Sequence, residues 1–219
     1  MTEPDLVILG AGGFARETAA AVRALNGVRP SFRLRGFLDD DPALHGTWRA
    51  GLPILGELDL AATAYGDALL VACVANPRDA GVRERVVDKL GLPAERYATV
   101  VHPSASVGSG CPVGPGTVLL AHVALTADVT VGAHVAVMPH TVLTHDDVVE
   151  DYATIASGVR LGGSVHIGRT AYLGAGALIR ETLRIGAGAL VGMGSVVLRD
   201  VPPGEVWAGN PARRLKETA

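Results

Sequence analysis

From Val101 onward an aliphatic residue returns at every sixth position: Val101, Val107, Val113, Leu119, Leu125, Val131, Val137, Leu143, Val149, Ile155, Leu161, Ile167, Leu173, Ile179, Ile185, Val191 and Val197. Four places later the residue is usually small or β-branched, as at Ala105, Thr117, Val135, Ala153, Ala171 and Ser195. Glycine often follows the aliphatic residue directly, as at Gly108, Gly132, Gly162, Gly174 and Gly192. A period of six fits neither a 3.6-residue helix nor one long strand. It fits short strands broken by corners, each hexapeptide forming a flat face with its aliphatic residue inward and the glycines relieving the corners. Successive coils then stack at about 4.8 Å through backbone hydrogen bonds that run along the stack.

The first hundred residues follow another pattern. Asp5 to Leu9 is a short apolar run ending in Gly10-Ala11-Gly12-Gly13-Phe14-Ala15, and Arg16 to Leu25 reads as a helix. A second run, Leu34 to Leu38, stops at Asp39-Asp40-Asp41. A third, Ala68 to Val74, ends at Asn76-Pro77 and precedes a helical pattern through Val82, Val86, Val87 and Leu90. Strands alternating with helices predict a small parallel sheet, a Rossmann-like βαβαβ unit. Its glycine segment lets backbone N–H groups and a helix N-terminus approach a phosphate, while an acid ending the second strand suits a ribose hydroxyl. One such half fits a mononucleotide better than NAD, with purely structural glycines as the alternative.

Composition narrows the class. Aromatic residues are 4% of the 219 residues against 48% hydrophobic overall, so small aliphatic side chains must fill the interior. A net charge of -3 argues against a nucleic-acid binder that relies on positive charge. No apolar run approaches the roughly 18 residues needed to span a bilayer, and no export signal is evident, so a cytoplasmic protein without membrane or nucleic-acid partners is expected. Cys73 and Cys111 have neither disulfide nor metal spacing and read as inert packing.

The hexapeptides resemble the left-handed β-helix of hexapeptide-repeat acyltransferases, in which three hexapeptides make one triangular coil and residues 18 apart lie above one another. The handedness is implied by that resemblance alone. The order LGAGGFARE, GFLDDD, VACVAN and VHPSA, covering nearly the whole chain, is similar to the NeuD/PglD-like family of sialic acid O-acetyltransferases and bacillosamine or perosamine N-acetyltransferases. The resemblance implies a nucleotide-sugar-binding domain over residues 1–98, a β-helix acetyltransferase domain over 99–201 and a capping tail over 202–219. It places Gly12, Gly13 and Phe14 at a phosphate loop, Asp39 and Asp40 at the end of the second strand, and Val74 near the sugar nucleotide. It also implies a homotrimer with the active site between subunits.

Acetyl transfer from a thioester needs a base for the attacking group's proton and donors for the oxyanion. Of seven histidines, His145 stands in Thr144-His145-Asp146-Asp147, a polar cluster in which Asp147 takes a position that is elsewhere small and inward-facing. An adjacent carboxylate strengthens an imidazole base. The resemblance carries the roles of general base and partner onto His145 and Asp146; a solvated corner is the plain alternative. For acetyl-CoA, it implies contacts at Thr154, Gly163, Ala175 and Met193. The glycine at Gly163 also has a purely structural reading, and Arg213, Arg214 and Lys216 are either a site for coenzyme A phosphates or a solvated tail.

His122 and His140 lie 18 apart and stack on the coil scheme, and with His145 they raise a zinc site like that of gamma-class carbonic anhydrases. No metal is expected on the preferred reading, an acetyl-CoA-dependent N-acetyltransferase acting on a nucleotide-linked amino sugar. The alternatives are a sialic-acid-type O-acetyltransferase and a non-catalytic solenoid.

Overall fold

A computed structural model describes residues 3–76 and 78–218 of the chain; Pro77 of the expected Asn76-Pro77 turn lies outside the described residues. Strand β1 (Asp5–Leu9) is followed by helix α1 (Gly13–Val28), β2 (Arg33–Leu38), β3 (Trp48–Arg49), β4 (Leu52–Gly56), β5 (Leu69–Ala72) and helix α2 (Val82–Leu90). The sheet order is β3-β4-β2-β1-β5, parallel except for the β3–β4 hairpin. Two features differ from the sequence pattern. The connection from β2 to β5 carries no α-helix but a hairpin and short 3-10 turns, and α1 begins at Gly13, immediately after the glycine loop, because Gly12 takes the extended conformation that precedes a helix.

From Val100 onward the chain winds into a triangular parallel β-helix. Its first face stacks the two-residue strands Val118–Leu119, Ala136–Val137, Thr154–Ile155, Tyr172–Leu173 and Leu190–Val191. A second face stacks Ala124–Leu125, Val142–Leu143, Arg160–Leu161, Leu178–Ile179 and Val196–Val197, and a third Thr130–Val131, Val148–Val149, His166–Ile167 and Arg184–Ile185. Every pairing joins residues 18 apart, as in Ala136 with Thr154 and Val148 with His166. The repeating aliphatic residues from Leu119 to Val197 are buried, whereas Val107, in the first coil with none above it, is 40% exposed. Thr117 and Ser195 occupy the inward small positions and bond to neighbouring coils. At the other end, the hairpin Glu205–Gly209 and Ala212–Glu217 pairs with Leu190–Val191 and extends the first face.

The glycines after the aliphatic positions do not relieve the corners. Their φ values are ordinary, and they are needed because the coils approach closely: a Cβ on Gly162 would stand 2.6 Å from the Glu181 nitrogen. The left-handed corner position falls three residues after the aliphatic one. It is held by Gly110, Gly116, His122, Asp128, His134, His140, Asp146, Tyr152, Gly158, Ser164, Thr170, Gly176, Thr182, Gly188 and Gly194. Asp and His tolerate this conformation better than β-branched residues do.

The N-terminal domain lies on the first face, where Phe14, Ala15 and Val22 share a core with Val100, Val118, Leu120 and Ala136. One side chain fastens the two units. Arg83 of α2 is 2% exposed and donates to the carbonyls of Val74, His134, Tyr152 and Ala153 and to the Thr154 hydroxyl. Among the described residues no carboxylate contacts it; burial pulls its pKa down to about 10, so it is charged at neutral pH. Beside it the His134 ring stacks on Tyr152 at 5.0 Å and meets the edge of Tyr97 at 4.6 Å. Arg169 lies over the other side of Tyr152 and pairs with Glu84 of α2 and with Asp151.

Replacing Arg83 with Met removes a donor from four carbonyls, of which only that of Ala153 keeps a backbone partner in the Ala136 N–H, and from the Thr154 hydroxyl, and should cost about 3 kcal/mol in denaturant unfolding. Burial, chiefly, and then the Arg83 charge hold His134 neutral, with its pKa lowered to about 4. The stability this contributes is present above the unfolded value near 6.5 and is lost as pH falls toward 4. His134→Asn, which tolerates the left-handed corner, should therefore lose less melting temperature than wild type between pH 6.5 and 4.5.

Candidate active site

The residues expected to bind a nucleotide gather at the carboxyl ends of β1, β2 and β5. A cleft of about 270 Å³ is lined by Gly10, Ala11, Gly12, Gly13, Phe14, Asp39, Cys73, Val74, Ala75, Asn76 and Val82. A second cleft, of about 420 Å³, shares Ala11, Gly12 and Asp39 with it and adds Arg16, Asp41, Leu44 and Arg49. The α1 N-cap has no side-chain hydrogen bond, so the first-turn N–H groups beside Gly12 are free to meet an anion. Asp39 holds this loop in place: one carboxylate oxygen accepts from the Ala11 N–H at 2.8 Å and the other from the Asp41 N–H at 3.0 Å.

Asp40, expected beside Asp39 at the substrate, lines neither cleft. Its carboxylate accepts from the Leu58 N–H at 2.9 Å and lies 3.9 Å from Lys89, because consecutive residues leaving a strand point to opposite sides. Sequence reasoning missed Arg16, Arg49 and Asn76; the first lies one turn into α1, a signal the glycine motif alone does not contain. Cys73 lies at the cleft floor with its thiol pushed up to about 12 by burial, so it is not a nucleophile at neutral pH.

His145 occupies the corner between the second and third faces. Its Nδ1 lies 2.8 Å from Asp146 Oδ2, and both side chains are exposed. With Nδ1–H directed at the carboxylate, Nε2 carries the free lone pair. The corner is tied to both neighbouring coils: the Asp146 N–H donates to the Ala127 carbonyl at 3.1 Å, and the His145 carbonyl accepts from the Ser164 N–H at 2.9 Å. Gly163, one coil further, lies directly against the ring, and a Cβ there would collide with Cε1, Nε2 and Nδ1. Asp147 turns inward, and its carboxylate accepts from the Thr144 and Val165 N–H groups, each at 2.8 Å.

The other residues expected at the donor groove fall elsewhere. Ala175 and Met193 stack near the corner between the first and second faces, where Met193 is 80% exposed. Thr154 lies under the N-terminal domain with its hydroxyl accepting from Arg83 at 2.9 Å, so its side chain belongs to the domain joint. In the tail, Arg214 is paired with Glu205 and Glu217, while Lys216 lines a cleft of about 560 Å³ with Arg78 and Arg85. His122 and His140 do stack, with ring centroids 4.9 Å apart, at the same corner as Ala175 and away from His145. Among the described residues no group of three or more His, Cys, Asp or Glu side chains is placed to hold a metal ion, and no helix is long and apolar enough to cross a membrane.

A nucleotide-type cleft joined to a hexapeptide prism with a histidine–carboxylate corner defines a two-domain acyltransferase architecture. Residues 5–90 match the PglD N-terminal domain. Over 217 residues the chain is 30% identical to the GDP-perosamine N-acetyltransferase of Escherichia coli, covering 96% of each. The acetyltransferase domain of PglB from Neisseria gonorrhoeae, in complex with acetyl coenzyme A, superimposes with a TM-score of 0.84 at 25% identity over 97% of this chain and all of that one. PerB from Caulobacter crescentus, in complex with CoA and GDP-perosamine, gives 0.84 at 28% identity over 96% and 97%. The chain belongs to the PglD-like family of sugar acetyltransferases, and its prism is the left-handed β-helix of that family.

The close fit of the imidazole on Gly163 is testable. Gly163→Ala should displace the ring and lower activity by about 10- to 100-fold with little change in melting temperature; a crystal structure of the variant should show the His145 side chain moved off the coil.

Proposed function

We propose that this chain transfers the acetyl group of acetyl-CoA to the amine of a nucleotide-linked amino sugar, with His145 as general base and Asp146 as its partner. The carrying observation is the His145–Asp146 pair, with Nε2 free at an exposed corner and the ring seated on Gly163. The acceptor amine attacks the thioester carbonyl, forming the C–N bond; Nε2 removes the amine's proton; and the C–S bond breaks, the proton passing on to the coenzyme A thiolate. Backbone N–H groups along the corner serve the developing oxyanion. Gly12, Gly13, Phe14, Asp39 and Val74 line the cleft that we assign to the nucleotide sugar. Gly163, Ala175 and Met193 are assigned to the donor. The acetyl coenzyme A bound by PglB and the GDP-perosamine bound by PerB support these classes of ligand.

The geometry of one chain also favours a trimer. The N-terminal cleft stands over the first face, while His145 lies on the opposite edge of the prism, between the other two faces. The second face and its rims expose Leu178 and Met193, an apolar strip suited to another copy. Assembly would bring one subunit's His145 toward a neighbour's cleft and set Gly163 beside a neighbour's Ala175 and Met193. We place the reaction in the cytoplasm, where acetyl-CoA is supplied.

His145→Asn should reduce coenzyme A thiol release by about 10²- to 10⁴-fold without changing the oligomer's mass in solution. Amino sugars linked to GDP and to UDP, GDP-perosamine first, are the acceptors to assay. Full turnover by the variant would rule out His145 as the base, and acetylation of a free hydroxyl sugar alone would rule out the amine acceptor.

A further inference from the structure

Asp147 is the buried carboxylate of the polar corner and has no part in the chemistry above. It is fully buried, stacked in the coil register between Val129 and Val165. A carboxylate is not needed there to join coils: Thr117 accepts from the Val135 N–H across the same 18-residue step at 2.9 Å and donates to the Gly132 carbonyl at 2.7 Å. What Asp147 adds is a second acceptor, used on the Thr144 N–H immediately before His145. The turn from Thr144 to Asp147 is thereby closed on itself and pinned to the next coil.

We propose that Asp147 is a positioning residue for His145: as a carboxylate it closes the turn that keeps the imidazole on Gly163, with Nδ1 at Asp146 and Nε2 outward. The proposal rests on His145 being the base. Protonation would set an O–H against one of the two N–H donors and leave the turn held on one side only. Burial pushes the carboxyl up to about 6, opposed by the N–H groups of Val165 and Thr144 and by His145, and reinforced by Asp146. His145 and Asp146 are the ionisable groups acting on it; the coils above and below present Val129 and Val165. The turn is thus closed at neutral pH and opens on the acid side. Because the folded pKa is raised, the charged carboxylate lowers stability as pH rises through about 6, a cost that coil packing alone does not require.

The test is Asp147→Thr, which places at this position the residue that already joins coils at Thr117. Expected are a kcat lowered about 10- to 100-fold, a KM for acetyl-CoA within about twofold of wild type, and no loss of melting temperature at pH 7.5. The limiting acid slope of log kcat should fall from two to one, since one of two required deprotonations is removed. Independently of turnover, the Thr144 backbone amide resonance in NMR should show an inflection near pH 6 in wild type that disappears in Asp147→Thr. A kcat within twofold of wild type, a slope of two in both proteins, or the same inflection in both overturns the proposal. So does a collapse of melting temperature with both KM values raised, which would mark a purely structural residue. His145→Asn separates the two ideas: an inactive His145→Asn beside a fully active Asp147→Thr removes only the role of Asp147, whereas an active His145→Asn removes the base itself.

Discussion

The backbone ladder between coils fixes nearly everything else in this molecule. Because each strand pairs with the one 18 residues later, a side chain's neighbours are set by arithmetic once the register is fixed, and one face of small residues is as informative as a large core. His145 lies on Gly163 and Asp147 accepts from Val165 for the same reason that Ala136 pairs with Thr154. A one-residue slip would move every aliphatic side chain off the axis and destroy the site and the fold together. The site is therefore as rigid as the core beneath it, which is what an attack geometry requires.

The joint between the domains uses different physics. Where the prism is held by many weak identical contacts, the N-terminal domain adds to its shared apolar core one buried guanidinium satisfied by four carbonyls and a hydroxyl, flanked by His134, Tyr152 and the Arg169 ion pairs. Five donors in a fixed fork suit such a set of acceptors in a way that an ammonium does not. Val74 both gives a carbonyl to this joint and lines the N-terminal cleft, so the orientation of the cleft and the placement of the coil are set by the same residue.

The prism and the His145–Asp146 corner were legible in the sequence, because period six survives in the aliphatic positions and THDD interrupts it visibly. The role of the glycines was not. Glycine signals both left-handed φ and close approach, and only coordinates separate Gly162, which makes room for Glu181, from Gly110, which turns a corner. An acidic triplet after a strand does not say which acid faces the cleft, and β2's exit turns Asp39 toward it and Asp40 away. Arg83 was invisible for a different reason. A lone arginine in an amphipathic helix looks solvated, and its partners, separated from it in sequence by as many as 71 residues, are mostly backbone atoms that carry no sequence signal.

A triangular prism gives each face one edge that it does not touch, and the two halves of the proposed reaction sit on such a pair. The cleft belongs to the first face through the Arg83 joint; the imidazole belongs to the edge between the second and third. A single chain therefore holds the N-terminal cleft and His145 on opposite sides of a packed aliphatic core. On the proposed reading this separation excludes premature thioester chemistry in a lone subunit, since the donor would be held only where two prisms meet. On the same reading the exposed His145–Asp146 pair acquires its low-dielectric surroundings from a neighbour's surface and not from its own chain, and the electrostatic interactions that matter for proton transfer strengthen when the groove is formed.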